Sequence, residues 1–528
     1  MLRSSLGLNG AVSAPHRHAA LAGRDILEMG GTAIEAMVAM AATIAVVYPH
    51  MNGIGGDGFW LIHRPGQEPV CVLACGRAAR LATPGFYRER GFETTLPARG
   101  AAAALTVPGT LSGWKAALDL LGADQKIPLP KLMQAAISYA KNGMAVTENQ
   151  SHCMNDKRGG LENVPGFADI FMPDGMVPMA GSRLVQSALG STLEEIACNG
   201  IESFYRGDLA RTHTSFLEAS GSPLRLADFE AHQPEISVPL ATQTTHGLIY
   251  NTPPPTQGVA SLIILSLFDR LRITDAESID HLHGLIEATK QAFILRNAGL
   301  GDPSSMSEPA AAWLAPGRLD DLTARIDRRK ALPWPHEARP GDTVWMGAAD
   351  RHGNVVSFIQ SVYWEFGSGL TCTDTGVYFQ NRGCAFSLQP GPNLLEPGKR
   401  SFHTLNPALA KLSDGRIMAY GTMGGEGQPQ TQAALFTRYA QFDMDLQAAI
   451  TAPRWLLGRT WGEDTSTLKM ESRFDPTLVS RLQGMGHSIE LIEPFSDLAG
   501  HSGAVVSHSS GLFESGTDPR ADGAALCL

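Results

Sequence analysis

Gly341-Asp342-Thr343-Val344-Trp345 is the stretch that decides the interpretation of this 528-residue chain, because a strand is predicted to begin at its threonine. A threonine hydroxyl is too weakly acidic to attack an amide unaided. An α-amino group, whose ordinary pKa is about 7.7–8.0, accepts that proton near neutral pH. Cleavage of the chain between Asp342 and Thr343 would place both groups on one residue. The stretch therefore predicts a precursor whose nucleophile carries its own base.

A hairpin is predicted to follow this threonine. Two strand-like runs, Thr343 to Ala349 and Val355 to Tyr363, lie on either side of residues 350–354 (DRHGN), a turn signal by composition. A hairpin centred on the histidine of that turn would place Thr343 opposite Ser361. A second hydroxyl is then expected within hydrogen-bond distance of the first residue of the strand.

Composition predicts one large globular unit. Hydrophobic residues make up 43% of the sequence and charged residues 18%, and no linker, low-complexity tract or long charge run divides it. The net charge is −10 and no basic cluster stands out, which disfavours nucleic-acid binding. The longest apolar tract, Ala33 to Val47, is shorter than the roughly 20 residues of a membrane span. It is predicted to form a buried helix, and no membrane association is expected.

The cysteines and histidines do not indicate a disulfide framework or a metal site. Seven cysteines include no Cys-x-x-Cys pair, and the N-terminus lacks an apolar signal region, so we expect a reduced, cytoplasmic protein. His281, His283 and Glu287 share a predicted helix and could be metal ligands. Residues two apart on a helix face different sides, however, so a packing or solvated role is favoured and no metal is expected.

Short motifs in a fixed order along the whole chain resemble those of γ-glutamyltranspeptidase-type proenzymes. They include residues 53–58 (GIGGDG), 253–258 (PPPTQG), 421–425 (GTMGG) and 518–523 (DPRADG). Their order and spacing, more than any one of them, carry the resemblance. The resemblance implies an N-terminal-nucleophile hydrolase with an α+β fold, a four-layer αββα sandwich.

The resemblance also implies that the chain cleaves itself before the nucleophile. The scissile bond would be Asp342–Thr343, giving a large chain of residues 1–342 and a small chain of residues 343–528 that stay associated. The Thr343 hydroxyl would attack the Asp342 carbonyl carbon, and water would hydrolyse the resulting ester. A proline-rich stretch, residues 332–340, predicts exposed irregular chain just before the bond. A homodimer of such heterodimers is one assembly that the resemblance allows.

Three further residues match the catalytic positions of the family. Gly424 and Gly425 fall at the oxyanion-hole positions, where two backbone N–H groups face the developing oxyanion, and glycine permits the close approach that this requires. Ser361 falls where the family has a hydroxyl that touches the amine of the nucleophile, in agreement with the hairpin register. The resemblance implies no organic cofactor and no metal.

The predicted acyl pocket departs from that of true γ-glutamyl enzymes, which bind the substrate ammonium with acceptor side chains. Tyr363, Arg382 and Ala385 stand at those positions. An alanine offers no acceptor, and an arginine is a permanently charged donor that would repel an ammonium. Trp345, Tyr363 and Trp364 lie near Thr343 in sequence and would require a short acid if they lined the pocket, although a core role is favoured for Trp364.

Other residues at the family's substrate positions suit an anion. Arg77 matches the carboxylate-binding arginine of the family, and His403 and Thr404 match its paired serines. With Arg382, they could hold a carboxylate, since arginine binds that group bidentately. Residues 381–386 (NRGCAF) and 402–404 (FHT) resemble the acylase-like branch of the family.

These residues together predict an amidohydrolase for a short, small-molecule amide that bears a carboxylate. The resemblance makes oxamate the best candidate, with oxalate and ammonia as products in urate and ureide breakdown. A γ-glutamyl or glutaryl-type acylase or transferase is the first alternative. A binding homologue that has lost catalysis is the second, and the presence of Thr343, Ser361 and both glycines argues against it.

Overall fold

The computed structural model describes residues 3–335, 341–458 and 466–528, and of Asp342 it describes the backbone alone. The end of the proline-rich stretch, residues 336–340, therefore lies outside the described residues.

Two seven-stranded sheets form the centre of the molecule, and neighbouring strands within each are antiparallel. The first sheet contains, in spatial order, Ala524–Cys527, Gly10–Ala14, Asp342–Asp350, Val355–Tyr363, Asp57–His63, Val70–Ala74 and Glu235–Ser237. The second contains Ser5–Gly7, Phe513–Thr517, Ser502–Ser507, Ile417–Thr422, Ala408–Leu412, Gly247–Asn251 and Leu240–Thr244.

The two sheets pack face to face. Phe59, Trp345 and Ile359 of the first sheet share one buried cluster with Leu409 and Val505 of the second. Because side chains alternate between the faces of a strand, the remaining apolar residues of each sheet face outward and need a second cover. Helices supply that cover on both sides.

Each sheet carries helices on its outer face. Arg17–Glu28 and Ala33–Val47 pack on the first sheet, and Gly258–Leu271 and Gln428–Phe436 pack on the second. The layers run helix, sheet, sheet, helix, so the predicted αββα sandwich is confirmed. Further helices beside the first sheet are Pro84–Arg88, Thr110–Asp119, Leu129–Leu132, Gln134–Asn142, Glu148–Leu161, Phe167–Phe171, Ser187–Asn199, Ser203–Arg206, Asp208–Ser220 and Leu226–Ala231. Those beside the second are Ile279–Gly299, Pro316–Ala324, Leu446–Thr451 and Pro476–Gly484.

Smaller sheets complete the described fold. The strands Trp455–Leu457, Leu468–Glu471 and Ile489–Ile492 form a three-stranded sheet, and two pairs of short strands join Met144–Ala145 to Arg183–Leu184 and Thr371–Cys372 to Val377–Tyr378.

The helix Ala33–Val47 was predicted from its apolar run and is buried along its whole length. A capping box fixes its start: the Thr32 hydroxyl accepts from the Glu35 N–H, and the Glu35 carboxylate accepts from the Thr32 N–H. Asp350 Oδ2 accepts from the N–H of Ala33 at 2.7 Å, which ties the turn of the hairpin to this helix. Within the part of the chain that the structure describes, no helix combines the length and apolar character needed to cross a membrane.

The hairpin after Thr343 has the predicted register over most of its length. Val344 pairs with Gln360, and the ladder continues without a shift to the turn. Asp342 pairs with Tyr363, so the register shifts by one residue between Asp342 and Val344. A β-bulge thus replaces the predicted one-to-one pairing, and Thr343 stands opposite both Ser361 and the residue after it. Bulges re-aim side chains and are common next to active sites.

Candidate active site

Thr343 lies at the start of its strand, buried in the structure. By alternation it shares a strand face with Trp345, whose indole packs against Gly421 and Gly503 of the second sheet. The Trp345 N–H donates to the Ser357 hydroxyl at 2.9 Å. Trp345 is therefore part of the packing between the sheets, and Thr343 lies at the edge of that packing.

The two glycines at the predicted oxyanion-hole positions form a turn beside the predicted scissile bond. Gly424 has φ 121° and Gly425 has φ 51°, conformations that side-chain-bearing residues rarely adopt. A Cβ built on Gly425 would lie 3.0 Å from the carbonyl oxygen of Gly341, two residues before Thr343. Glycine is thus required here by both backbone conformation and close approach.

Replacing Gly425 by alanine is expected to slow self-cleavage by about tenfold or more. The new methyl group would push on the backbone just before Thr343, and misplacing a reacting group by about 1 Å costs on the order of 100-fold. The fraction of cut chain over time on a denaturing gel measures the effect.

Gly415→Ala is the matched control for that substitution. Gly415 also has a positive φ, 90°, but the nearest atom to its Cβ position is 3.5 Å away. Backbone strain of about 1–2 kcal/mol is common to both variants. Equal cleavage rates in the two would mean that contact with Gly341 plays no part.

An arginine and a tyrosine form the adjoining wall. Tyr363 ends the second strand of the hairpin with φ 84°, and the Arg382 guanidinium carbon lies 3.7 Å from the centre of its ring. Arg382 Nη1 donates to the Thr404 hydroxyl at 3.4 Å. Arg382 is buried, and its Nε and Nη2 make no hydrogen bond to any residue that the structure describes. One edge of the guanidinium is therefore left for another partner.

A histidine and an aspartate lie beside this arginine. His403 Nε2 is 3.2 Å from Asp57 Oδ2, although the two atoms are not aligned for a hydrogen bond. Asp57 Oδ1 accepts from the N–H groups of Gly76 and Gly109 and from Gln380 Nε2, at 3.2, 3.1 and 2.9 Å. No role for Asp57 follows from the sequence pattern, although it is the one charged residue in the GIGGDG motif.

Burial dominates the titration of these groups. It raises the pKa of Asp57 to about 7, against the lowering effects of Gln380, Arg382 and the two backbone donors. Burial, assisted by the charges of Arg382 and Arg400, holds the pKa of His403 well below its ordinary value. Burial also lowers the pKa of Arg382. His403 is thus a neutral imidazole at neutral pH.

The structure brings most of the predicted site residues together. The Ser361 hydroxyl accepts from the N–H of Tyr363 at 2.8 Å, and Ser361 pairs with Asp57 across the sheet. Ala385 is buried at the end of the short helical turn Arg382–Ala385. Trp364 is half-buried, with the Arg99 guanidinium 5.7 Å from its ring.

Arg77 lies apart from this group. Its side chain is exposed, and its Nη1 donates to the carbonyl of Gly398 at 3.0 Å. The N–H of the preceding residue, Gly76, is held by Asp57, while the Arg77 carbonyl accepts from Val107. These backbone contacts fix the strand end so that the side chain of Arg77 reaches the surface. Arg382 is the arginine that the fold brings to Tyr363 and Thr404.

Gln257, in the PPPTQG motif, connects the two loops of the site, a role that its place in the sequence does not predict. Its Nε2 donates to the carbonyls of Thr404 and Gly425 at 2.7 and 2.8 Å. Its Oε1 accepts from Arg296 Nη1 at 2.7 Å, and Arg296 also pairs with Glu426. Gln257 therefore holds Thr404, the hydrogen-bond partner of Arg382, at a fixed distance from the turn at Gly424 and Gly425.

The histidines of the helix Ile279–Gly299 have partners within the protein. His281 Nε2 lies 3.1 Å from the Thr437 hydroxyl, and His283 contacts His487 and the Asp327 carbonyl. Glu287 accepts from the Lys290 ammonium at 2.7 Å. The ligand atoms of His283, Glu287 and His487 lie within 4.8 Å of one another. A lysine ammonium on the only carboxylate of that group opposes a cation there.

The fold and the site define the class of protein. Two facing antiparallel sheets between helical layers, with a buried threonine at a strand start beside a glycine turn, are the architecture of N-terminal-nucleophile hydrolases. These enzymes act on amide bonds.

Comparison with known proteins assigns the family. The gamma-glutamyltranspeptidase family model matches residues 19–528. An oxamate amidohydrolase proenzyme from Klebsiella pneumoniae is 49% identical, over 99% of this chain and 99% of the relative. The glutathione hydrolase-like YwrD proenzyme of Bacillus subtilis is 39% identical over 100% of both. The chain belongs to the gamma-glutamyltranspeptidase family.

A solved structure agrees. The cephalosporin acylase of Bacillus halodurans superposes with a TM-score of 0.92 at 31% identity, covering 100% of this chain and 97% of that one. The chain thus falls among hydrolases that act on amide bonds and are made as proenzymes.

Proposed function

We propose that the chain cleaves itself between Asp342 and Thr343 and then hydrolyses a short amide that bears a carboxylate, with oxamate as the preferred substrate. The observation that carries this proposal is the open edge of the Arg382 guanidinium, which is buried against Tyr363, the residue that pairs with Asp342 at the start of the strand Asp342–Asp350. The Klebsiella relative named for oxamate supports the choice of substrate. We propose further that the reaction belongs to urate and ureide breakdown, as the family resemblance implies.

The carboxylate would bind along the free edge of Arg382. Nη1 is directed to Thr404 and the face of the guanidinium lies on Tyr363, which leaves Nε and Nη2. Those two nitrogens form one edge, with the spacing that matches the two oxygens of a carboxylate. His403 is neutral, so it does not repel the neighbouring Arg382 guanidinium, and its N–H group can donate a hydrogen bond to the substrate carboxylate. Among the described residues at the family's ammonium-binding positions, Tyr363, Arg382 and Ala385, none offers a carboxylate or amide acceptor.

Thr343 would perform the chemistry. Its hydroxyl oxygen attacks the amide carbon, and its own amine accepts the hydroxyl proton and passes it to the departing ammonia. The N–H groups of Gly424 and Gly425 stabilise the oxyanion, each contributing about 3 kcal/mol. Ser361 orients the amine. Water then hydrolyses the oxalyl ester, so oxamate and water give oxalate and ammonia.

The two chains would stay together after cleavage. The strand Asp57–His63 of the large chain pairs with Val355–Tyr363 of the small chain, and Gly10–Ala14 pairs with both Ala524–Cys527 and Asp342–Asp350. Main-chain hydrogen bonds along these strands would hold the heterodimer, and a homodimer of heterodimers remains part of the proposal. The described part of the chain contains no disulfide, which fits the cytoplasmic location that we propose.

Ammonia release from oxamate, compared with release from glutamine and with glutathione cleavage, tests the substrate. We expect kcat/KM for oxamate to exceed the other two by about 100-fold or more, because a γ-glutamyl ammonium would face Arg382 in a buried site. Faster cleavage of glutathione would refute the pocket argument. Failure to hydrolyse any of the three by a cut enzyme would favour the binding homologue.

A further inference from the structure

We propose that Asp57 takes up a proton when a carboxylate binds beside Arg382, so that capture of the anion is coupled to neutralisation of this aspartate. The inference rests on the proposed function, since it concerns the same anion site. It makes Asp57 a residue that sets the affinity for substrate as a function of pH, without contact with the reacting atoms.

Geometry leaves one oxygen of Asp57 available for a proton. Its Oδ1 already has three donors, Gly76, Gly109 and Gln380. Its Oδ2 is buried and has no hydrogen-bond partner among the described residues, with His403 Nε2 3.2 Å away. A proton on Oδ2 would give this oxygen a donor role toward the unprotonated nitrogen of a neutral imidazole.

The charges around Asp57 balance in the empty site. Arg382 is the buried cation that acts on it, and Arg400 is already paired with Glu235 and Asp302 at 2.8 and 3.5 Å. His403 is neutral. Above about pH 7, ionised Asp57 is therefore the anion that acts on Arg382 before any ligand arrives, and a buried charge without such a partner would be costly.

The other titratable groups that act on this cluster stay uncharged or face away. Burial raises the pKa of Cys75 to about 12, and burial likewise raises the pKa of Tyr205. Tyr363 presents its ring face to Arg382. Arg77 acts on Cys75 from the surface. None of these groups can take the proton that an extra anion demands near neutral pH.

A bound carboxylate would put two anions against one cation. Protonation of Asp57 removes the excess negative charge at the lowest cost in free energy. Its pKa is already about 7 in the empty site and rises further beside a second anion. Below pH 7 the aspartate is protonated beforehand and the anion binds without proton uptake. Above pH 7 one proton must be taken from solvent, so affinity falls by up to about tenfold per pH unit.

The KM for oxamate of the cut enzyme, measured from pH 6.5 to 8.5, tests this coupling. We expect KM to rise above pH 7 in the wild-type enzyme and to stay flat in Asp57→Asn. The asparagine Oδ1 can keep the three donors, and its Nδ2 can donate to His403. Deprotonation of the Thr343 amine changes kcat in both enzymes alike. Asp414→Asn, at an exposed turn carboxylate, is the control and should keep the wild-type slope.

Calorimetry with glycolate, a short monocarboxylate without an amide, tests the same coupling independently of turnover. Titrations in buffers with different ionisation enthalpies should give close to one proton taken up per glycolate at pH 8, close to none at pH 6, and none in Asp57→Asn.

A flat wild-type KM, a pH slope that survives in Asp57→Asn, or glycolate that binds without proton uptake or does not bind would each overturn the inference. If the enzyme takes up a proton on binding glycolate but does not hydrolyse oxamate, the proposed substrate is wrong and the proposed role of Asp57 is supported.

Discussion

Replacing Thr343 by alanine is expected to leave the 528-residue chain uncut and to abolish amide hydrolysis. Without the hydroxyl there is no nucleophile for the Asp342 carbonyl, and without cleavage there is no free amine to act as base. Denaturing electrophoresis with intact-mass measurement should show one full-length chain for the variant. The wild-type protein should show two fragments, residues 1–342 and 343–528.

Two further variants make this result specific. Thr343→Ser keeps a hydroxyl and should be cut, whereas Thr371→Ala removes a hydroxyl from another buried strand threonine and should be cut like the wild type. Cleavage that survives in Thr343→Ala would reassign the nucleophile. A wild-type chain that persists uncut while hydrolysing oxamate would contradict the precursor hypothesis itself.

Arg382→Met is expected to separate self-cleavage from substrate hydrolysis. The scissile bond of the precursor is held by the chain, so the variant should still be cut. Hydrolysis of oxamate should fall by about 100-fold or more in kcat/KM, because removing one partner of a buried charge pair costs about 2–5 kcal/mol. Methionine keeps most of the side-chain volume against Tyr363 but has no donors for a carboxylate.

Arg77→Met decides between the two arginines that the sequence offered. Arg77 is exposed and bonded to the Gly398 carbonyl, so we expect its loss to change kcat/KM by less than about threefold, as for a surface contact. A large loss in Arg77→Met with little change in Arg382→Met would move the anion site to the surface arginine. Little change in Arg382→Met would also remove the basis for the proposed role of Asp57.

Local pattern was enough for the elements that depend on neighbours in sequence. The turn at residues 350–354 and the alternating strands fixed the hairpin register, and the apolar run from Ala33 predicted its helix. The bulge at Thr343 escaped because it depends on how Tyr363 turns at the end of its strand, with φ 84°. A register counted outward from the turn has no information about a shift at the far end.

Contacts between segments that are distant in sequence could not be predicted from sequence pattern. Asp57 meets His403 and Gln380 only because the strand Asp57–His63 lies beside Val355–Tyr363 in the folded sheet. The exposed direction of the Arg77 side chain depends likewise on contacts with residues around Val107 and Gly398. A resemblance transfers residue types to positions, whereas the direction of a side chain at a strand end is a property of the packed chain.

Strands from residues 1–342 and from residues 343–528 pair within one sheet, so the proposed cut would occur only in a chain that has folded. The hairpin brings Ser361 opposite Thr343, the far sheet brings the glycine turn against Gly341, and the strand Gly10–Ala14 pairs with the same strand from Gly347 onward. A misfolded chain lacks this arrangement and would stay whole. Hydrolysis of the bond is irreversible, so each molecule would be cut once. The ratio of cut to uncut chain in a cell extract would therefore report the fraction of molecules that had folded.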